Sequence, residues 1–149
     1  MRFREQCDGS MPNGFNQPPR VLVVDDEPHV LAVMAVTLRR AGYEPIGAES
    51  AEHAIATLEH LGVERLPAAI ISDIHMGGMD GERFAQALHE DPRFASIPIV
   101  IITGRVDCDR ASLPPNVREL VRKPFSARAV IGQIDAILGR HPDAVRGAA

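Results

Sequence analysis

The chain is short of several things at once. Of its 149 residues only two are cysteine, Cys7 and Cys108. Cys7 lies in a polar N-terminal stretch, so neither a disulfide framework nor a zinc site is expected, and a reducing, cytoplasmic setting follows. Positive charge is scarce too: 16 Lys and Arg against 20 Asp and Glu give a formal net charge of -4. A sequence-independent grip on nucleic acid needs a basic face, so no direct nucleic-acid partner is expected. No apolar run approaches the roughly 18 residues that span a membrane, and Met1-Arg2-Phe3-Arg4-Glu5-Gln6 lacks the apolar core of a signal peptide. No membrane partner is expected either. Internal repeats and low-complexity tracts are absent. The six histidines show no metal-ligand spacing, and no Ser/His or Cys/His pattern suggests nucleophilic catalysis.

What remains is 45% hydrophobic and 24% charged, ordinary for a globular domain. The length suits one domain with a proper core. Its organising stretch runs from Ala68 to Gly81 (AAIISDIHMGGMDG). A short continuous apolar run bounded by turn residues reads as a strand buried on both faces. Such a strand has no packing reason to end in a carboxylate, which places Asp73 at an open sheet edge. In parallel α/β sheets, ligands bind at the carboxyl ends of strands.

Residues 1–19 carry Gly, Asn, Gln, Ser and Pro without a period and read as a mobile tail. Residues 20–140 read as the folded domain and 141–149 as a C-terminal tail. Arg20 to Asp25 is a strand running into acid. Asp26 is the expected N-cap of a helix opened by Pro28, carrying Leu31, Met34, Ala35 and Leu38 on one face and stopping near Gly42. Tyr43 to Ala48, interrupted by Pro45, is expected at the sheet edge. Ser50 caps a helix with Ile55, Leu58 and Leu61 on one stripe. Asp80 caps another with Phe84, Ala87 and Leu88 inward. Ile97 to Thr103 is an apolar strand ending in a hydroxyl. Val106 to Leu113 has room for only two helical turns before Pro114-Pro115. Val117 to Arg122 is the last strand, and Ser126 caps a helix with Val130, Ile131, Ile134, Ile137 and Leu138 at helical spacing.

Five strands alternating with five helical segments imply a doubly wound parallel α/β sheet with helices on both faces, the flavodoxin-like order 2-1-3-4-5 being the common one. In that order Asp25, Asp26 and Asp73 meet in one pocket, closed on the far side by Thr103 and Lys123. Carboxylates about 5 Å apart repel by roughly 3 kcal/mol per pair at an effective dielectric near 20. One lysine does not offset that, so the pocket is expected to hold a divalent cation, and all-oxygen ligands favour Mg²⁺. Asp73 can then attack phosphorus in line, with the metal and Lys123 neutralising the phosphoryl oxygens and Thr103 donating to one of them. Each piece alone also fits helix capping or a turn. The conjunction on one sheet edge does not.

These residues resemble the receiver domain of two-component response regulators, over residues 20 to 140. The resemblance rests on Asp25-Asp26, on Asp73-x-x-Met76-x-x-Met79-Asp80-Gly81, on Thr103-Gly104 and on Lys123-Pro124-Phe125. It implies phosphorylation of Asp73 by a sensor histidine kinase or histidine phosphotransfer protein, and signalling to a downstream protein target. Asp26, Asp73 and the backbone carbonyl of His75 would ligate Mg²⁺, with Asp25 acting through water. Lys123 would contact the phosphoryl group beside a cis bond to Pro124, and Thr103 would be the switch hydroxyl. Three positions depart from the family's pattern: Gly77 where Pro is usual, Gly104 where a small side chain is usual, and Leu120 where many members carry an aromatic. The short stretch after the last helix favours a stand-alone phosphoacceptor, not an enzyme. Two other readings compete. One is a degenerate receiver that binds partners independently of phosphorylation. The other is a Mg²⁺-dependent phosphohydrolase, which would need an acid two residues after the nucleophile, where this chain has His75.

Overall fold

The structure, a computed structural model, describes residues 17–140. The tails expected at the two ends fall outside the described residues, apart from residues 17–19. Strand β1 (Arg20–Val24) leads into helix α1 (Pro28–Arg40), and strand β2 (Glu44–Ala48) into helix α2 (Ala51–Leu61). Strand β3 (Ala69–Asp73) is followed by helix α3 (Gly81–His89), strand β4 (Ile99–Thr103), strand β5 (Val117–Arg122) and helix α4 (Ala127–Ile137). The five strands are parallel, in the order β2-β1-β3-β4-β5. This is the doubly wound, flavodoxin-like sheet that the alternation of elements implies. β2, the strand carrying Pro45, sits at one edge as its sequence requires.

Alternation along the strands divides the interior in two. Leu22, Val24, Ile70, Ile99 and Ile101 face α2 and α3, where Ala51, Ala54, Leu58, Phe84, Ala85 and Leu88 pack on them. Val21, Val23, Ile71, Val100 and Ile102 face α1 and α4, against Met34, Leu38, Val130, Ile131 and Ile134. The central strands β1, β3 and β4 are covered on both sides, which is why they read as unbroken apolar runs. A polar tie fastens the second layer. The buried Tyr43 hydroxyl donates to Asp135 Oδ1 at 2.5 Å, and the Arg140 guanidinium lies 4.4 Å above the Tyr43 ring.

Four details differ from the expectation. Asp26 does not cap α1: the N-cap is Glu27 without a side-chain bond, and the Glu27 amide donates instead to Asp25 Oδ1 at 2.9 Å. The inward alanine of α3 is Ala85, with Ala87 only half-buried, because the apolar stripe follows Phe84, Ala85 and Leu88. β4 begins at Ile99, since Pro98 has no amide to give to the ladder; Ile97 is buried ahead of it. The stretch from Val106 to Leu113 forms only one 3₁₀ turn, Arg110–Ser112, so among the described residues there is no α-helix between β4 and β5. Asp109 caps that turn through the Ala111 amide, and Pro114-Pro115 supplies no further donors. The caps expected at Ser50, Asp80 and Ser126 are present, each accepting the amide three residues on.

Candidate phosphoacceptor site

Parallel pairing aligns the carboxyl ends of the strands along one rim. β1 ends beside Asp25, and β3 ends in Asp73 one position past the last pair it forms with β1. The carboxylates of Asp25, Asp26 and Asp73 each place an oxygen within 4.8 Å of the others. Asp25 and Asp73 are buried and Asp26 is exposed, so the pocket has an inner wall and an open lip. Across it, β5 delivers Lys123, whose ammonium lies 3.1 Å from Asp73 Oδ2. The Asp73 side chain is 7% exposed and that of Lys123 40%, so the lysine reaches in from solvent over its own alkyl stem. Asp73 Oδ1 accepts the His75 amide at 3.3 Å, which fixes the carboxylate from its other side.

The electrostatics follow from this crowding. Burial, and after it the charges of Asp73 and Asp26, push the Asp25 carboxyl above its ordinary range, against the pull of the Glu27 amide and Lys123. A site that penalises its own negative charge in this way fits a small hard cation. All three side chains offer oxygen, the donor set that suits Mg²⁺.

Thr103, at the end of β4, is buried, and its hydroxyl accepts the Arg105 amide at 2.9 Å. The Lys123 amide donates to the Thr103 carbonyl at 2.8 Å, joining β4 to β5 beside the pocket. The Lys123–Pro124 bond is cis. The His75 side chain is exposed, and its backbone amide is what reaches Asp73. Asp25, Asp26, Asp73, Thr103 and Lys123 therefore lie along this one rim.

The loop between β3 and α3 is held by contacts that sequence reasoning missed. A Cβ at Gly81 would stand 2.5 Å from the Asp73 carbonyl oxygen and 2.8 Å from Ile74 Cα, so only glycine lets α3 start this close to the end of β3. Glu52, in the first turn of α2, accepts the Met79 amide at 3.1 Å. At Gly77 a Cβ would meet nothing, and at Gly104 only the Lys123 stem at 3.7 Å. Neither of these departures from the family's pattern is forced by space. No local signal pointed to Glu52, which lies 27 residues from its partner.

Comparison with known proteins places this arrangement among close analogues. Residues 21–135 match the family described as response regulator receiver domain. The chemotaxis protein CheY1 of Helicobacter pylori (strain ATCC 700392 / 26695) is 31% identical over 123 residues, spanning 80% of this chain and 97% of that protein. The phosphate regulon transcriptional regulatory protein PhoB of Pseudomonas aeruginosa is 33% identical over 122 residues, covering 80% of this chain. The match takes in only 52% of PhoB, so this chain spans about half the length of that relative. Among solved structures, the chemotaxis protein CheY4 of Vibrio cholerae superposes with a TM-score of 0.69 at 26% identity, covering 80% of this chain and 98% of that one.

Proposed function

Since the chain belongs to the response regulator receiver domain family, we propose that Asp73 accepts a phosphoryl group from a histidine kinase or a histidine phosphotransfer protein in the cytoplasm. The family is a phosphoacceptor module and not an enzyme in its own right. The observation that carries the proposal is the setting of Asp73: a buried carboxylate at a strand end, within 4.8 Å of two others and paired with an ammonium at 3.1 Å.

In the proposed step an Asp73 carboxylate oxygen attacks phosphorus in line. The new P–O bond forms as the donor's P–N bond breaks, and the electron pair stays on the imidazole nitrogen, which takes up a proton. Asp25, Asp26 and Asp73, with the His75 backbone carbonyl, would hold Mg²⁺, which when bound neutralises charge on the phosphoryl oxygens. Lys123 turns from the Asp73 carboxylate to a phosphoryl oxygen, and the Thr103 hydroxyl donates to another. The modified domain then signals through contacts with a downstream protein target.

Incubation with Mg²⁺ and a small phosphodonor should add one phosphoryl group by intact mass, and Asp73→Asn should abolish the addition. A wild-type protein left unmodified by both donor and kinase refutes the proposal. One observation favours a second reading, a phosphorylation-independent binding module: Leu120 packs against the core where many relatives carry a mobile aromatic. Equal partner binding by wild type and Asp73→Ala would establish that reading. The phosphohydrolase reading requires an acid two residues past Asp73, and the exposed His75 stands there.

A further inference from the structure

Arg122 ends β5 one residue before Lys123, and its guanidinium is spent on main chain. Nη1 donates to the Arg105 carbonyl at 2.7 Å and Nη2 to the Cys108 carbonyl at 2.8 Å. Two carbonyls of the segment after β4 are thus clamped by one planar fork, a geometry that lysine cannot reproduce. The same segment is tied to the pocket, because the Arg105 amide donates to Thr103 Oγ1 at 2.9 Å. The Arg105 residue is therefore bonded at both ends, its amide on the threonine hydroxyl and its carbonyl on Arg122.

The consequence lies in the hydroxyl's one proton. A threonine hydroxyl has one proton and two acceptor positions. Thr103 is buried, it accepts from Arg105, and among the described residues it donates to no protein group. Holding the Arg105 amide in place fills an acceptor position and leaves the proton to be aimed elsewhere. Arg105's own guanidinium cannot compete for the clamp, since it is paired with Asp107 at the surface. On β5, residues 120 and 122 share a face. Leu120 there contributes only packing, and Arg122 contributes the polar link to the segment after β4.

We propose that Arg122 is a positioning residue. By fixing the Arg105 and Cys108 carbonyls it holds the Arg105 amide on Thr103 Oγ1, and so points the Thr103 hydroxyl at the phosphoryl oxygen arriving on Asp73. This rests on the reading of Asp73 as phosphoacceptor and adds the device that orients its hydroxyl partner.

The test is a double-mutant cycle read as the rate of Asp73 phosphorylation by acetyl phosphate at saturating Mg²⁺, where the P–O bond to Asp73 forms as the bond to the leaving acetate breaks. Arg122→Met should slow the reaction roughly tenfold, the scale of a modest misplacement, and Arg122→Lys should restore part of it. In a Thr103→Ala background, Arg122→Met should change the rate by less than about twofold, since it acts through the missing hydroxyl. In the unmodified protein, Arg122→Met should also speed hydrogen exchange at the Arg105 amide. An unchanged rate in Arg122→Met, or an equal slowing with and without Thr103, overturns this inference and leaves the acceptor reading standing. A wild-type protein that takes no phosphoryl group from acetyl phosphate or kinase overturns both.

Discussion

Asp25→Asn separates the electrostatics of the pocket from its packing. The substitution removes one charge from three carboxylates whose oxygens lie within 4.8 Å of one another. At that spacing and an effective dielectric near 20, each pair repels by about 3 kcal/mol. Lys123 beside Asp73 and the water around exposed Asp26 offset much of it, leaving a net gain of about 1–2 kcal/mol on neutralising Asp25. The amide side chain keeps an oxygen for the Glu27 amide, so the entry to α1 is preserved. In EDTA at pH 7.5, the variant should therefore melt above wild type by roughly 2–6 °C. The sign with pH follows from the raised Asp25 carboxyl. Its burden on wild type is absent below the ordinary value of 3.8, grows as pH rises through the elevated folded value, and is complete above it. The gap between variant and wild type should widen over that same interval. Added Mg²⁺ should reverse the ranking: at a hundred times its dissociation constant it stabilises wild type by about 2.7 kcal/mol, and the variant by much less. A variant less stable than wild type in EDTA, or one with an undiminished Mg²⁺ response, would refute the reasoning.

Other substitutions test the scaffold. Tyr43→Phe strips the buried Asp135 carboxylate of the hydroxyl that donates to it, and should cost about 1–3 kcal/mol in urea unfolding; a change below about 0.5 kcal/mol would show that the bond contributes little. Gly81→Ala drives a Cβ into the Asp73 carbonyl and should cost about 1–3 kcal/mol, with slower phosphorylation as the acceptor shifts. Gly77→Ala, where a Cβ meets nothing, should instead be neutral or stabilise by up to about 1 kcal/mol by stiffening the unfolded chain. Equal effects at the two glycines would contradict the distances on which this contrast rests.

The strands were legible because parallel strands covered on both faces must be apolar along their covered length, and residues 69–71 and 99–102 are. Polar groups at the ends of such runs stand out, so Asp25, Asp73, Thr103 and Lys123 could be placed on one rim. Capping was harder to read at Asp26. Its local context is that of an N-cap, but the Asp25 carboxylate took the nearest free amide and Asp26 joined the pocket. Contacts between distant residues left no trace in local pattern: Tyr43 and Asp135 are 92 positions apart, and Arg122 and Arg105 are 17. The segment from Gly104 to Asn116 was the hardest. Its geometry comes from an arginine on a neighbouring strand and from Pro114-Pro115, not from a periodicity of its own.

The sheet that carries the acidic pocket also works as a bulkhead. Leu38 and Leu88 belong to separate compartments on its two sides, so their truncations should add independently, as do changes at well-separated sites. A lineage could then refit the compartment beneath residues 104–116 to suit a new listener and leave the α1–α4 compartment as it was. The wall between them lets one surface be rebuilt while the other keeps its shape.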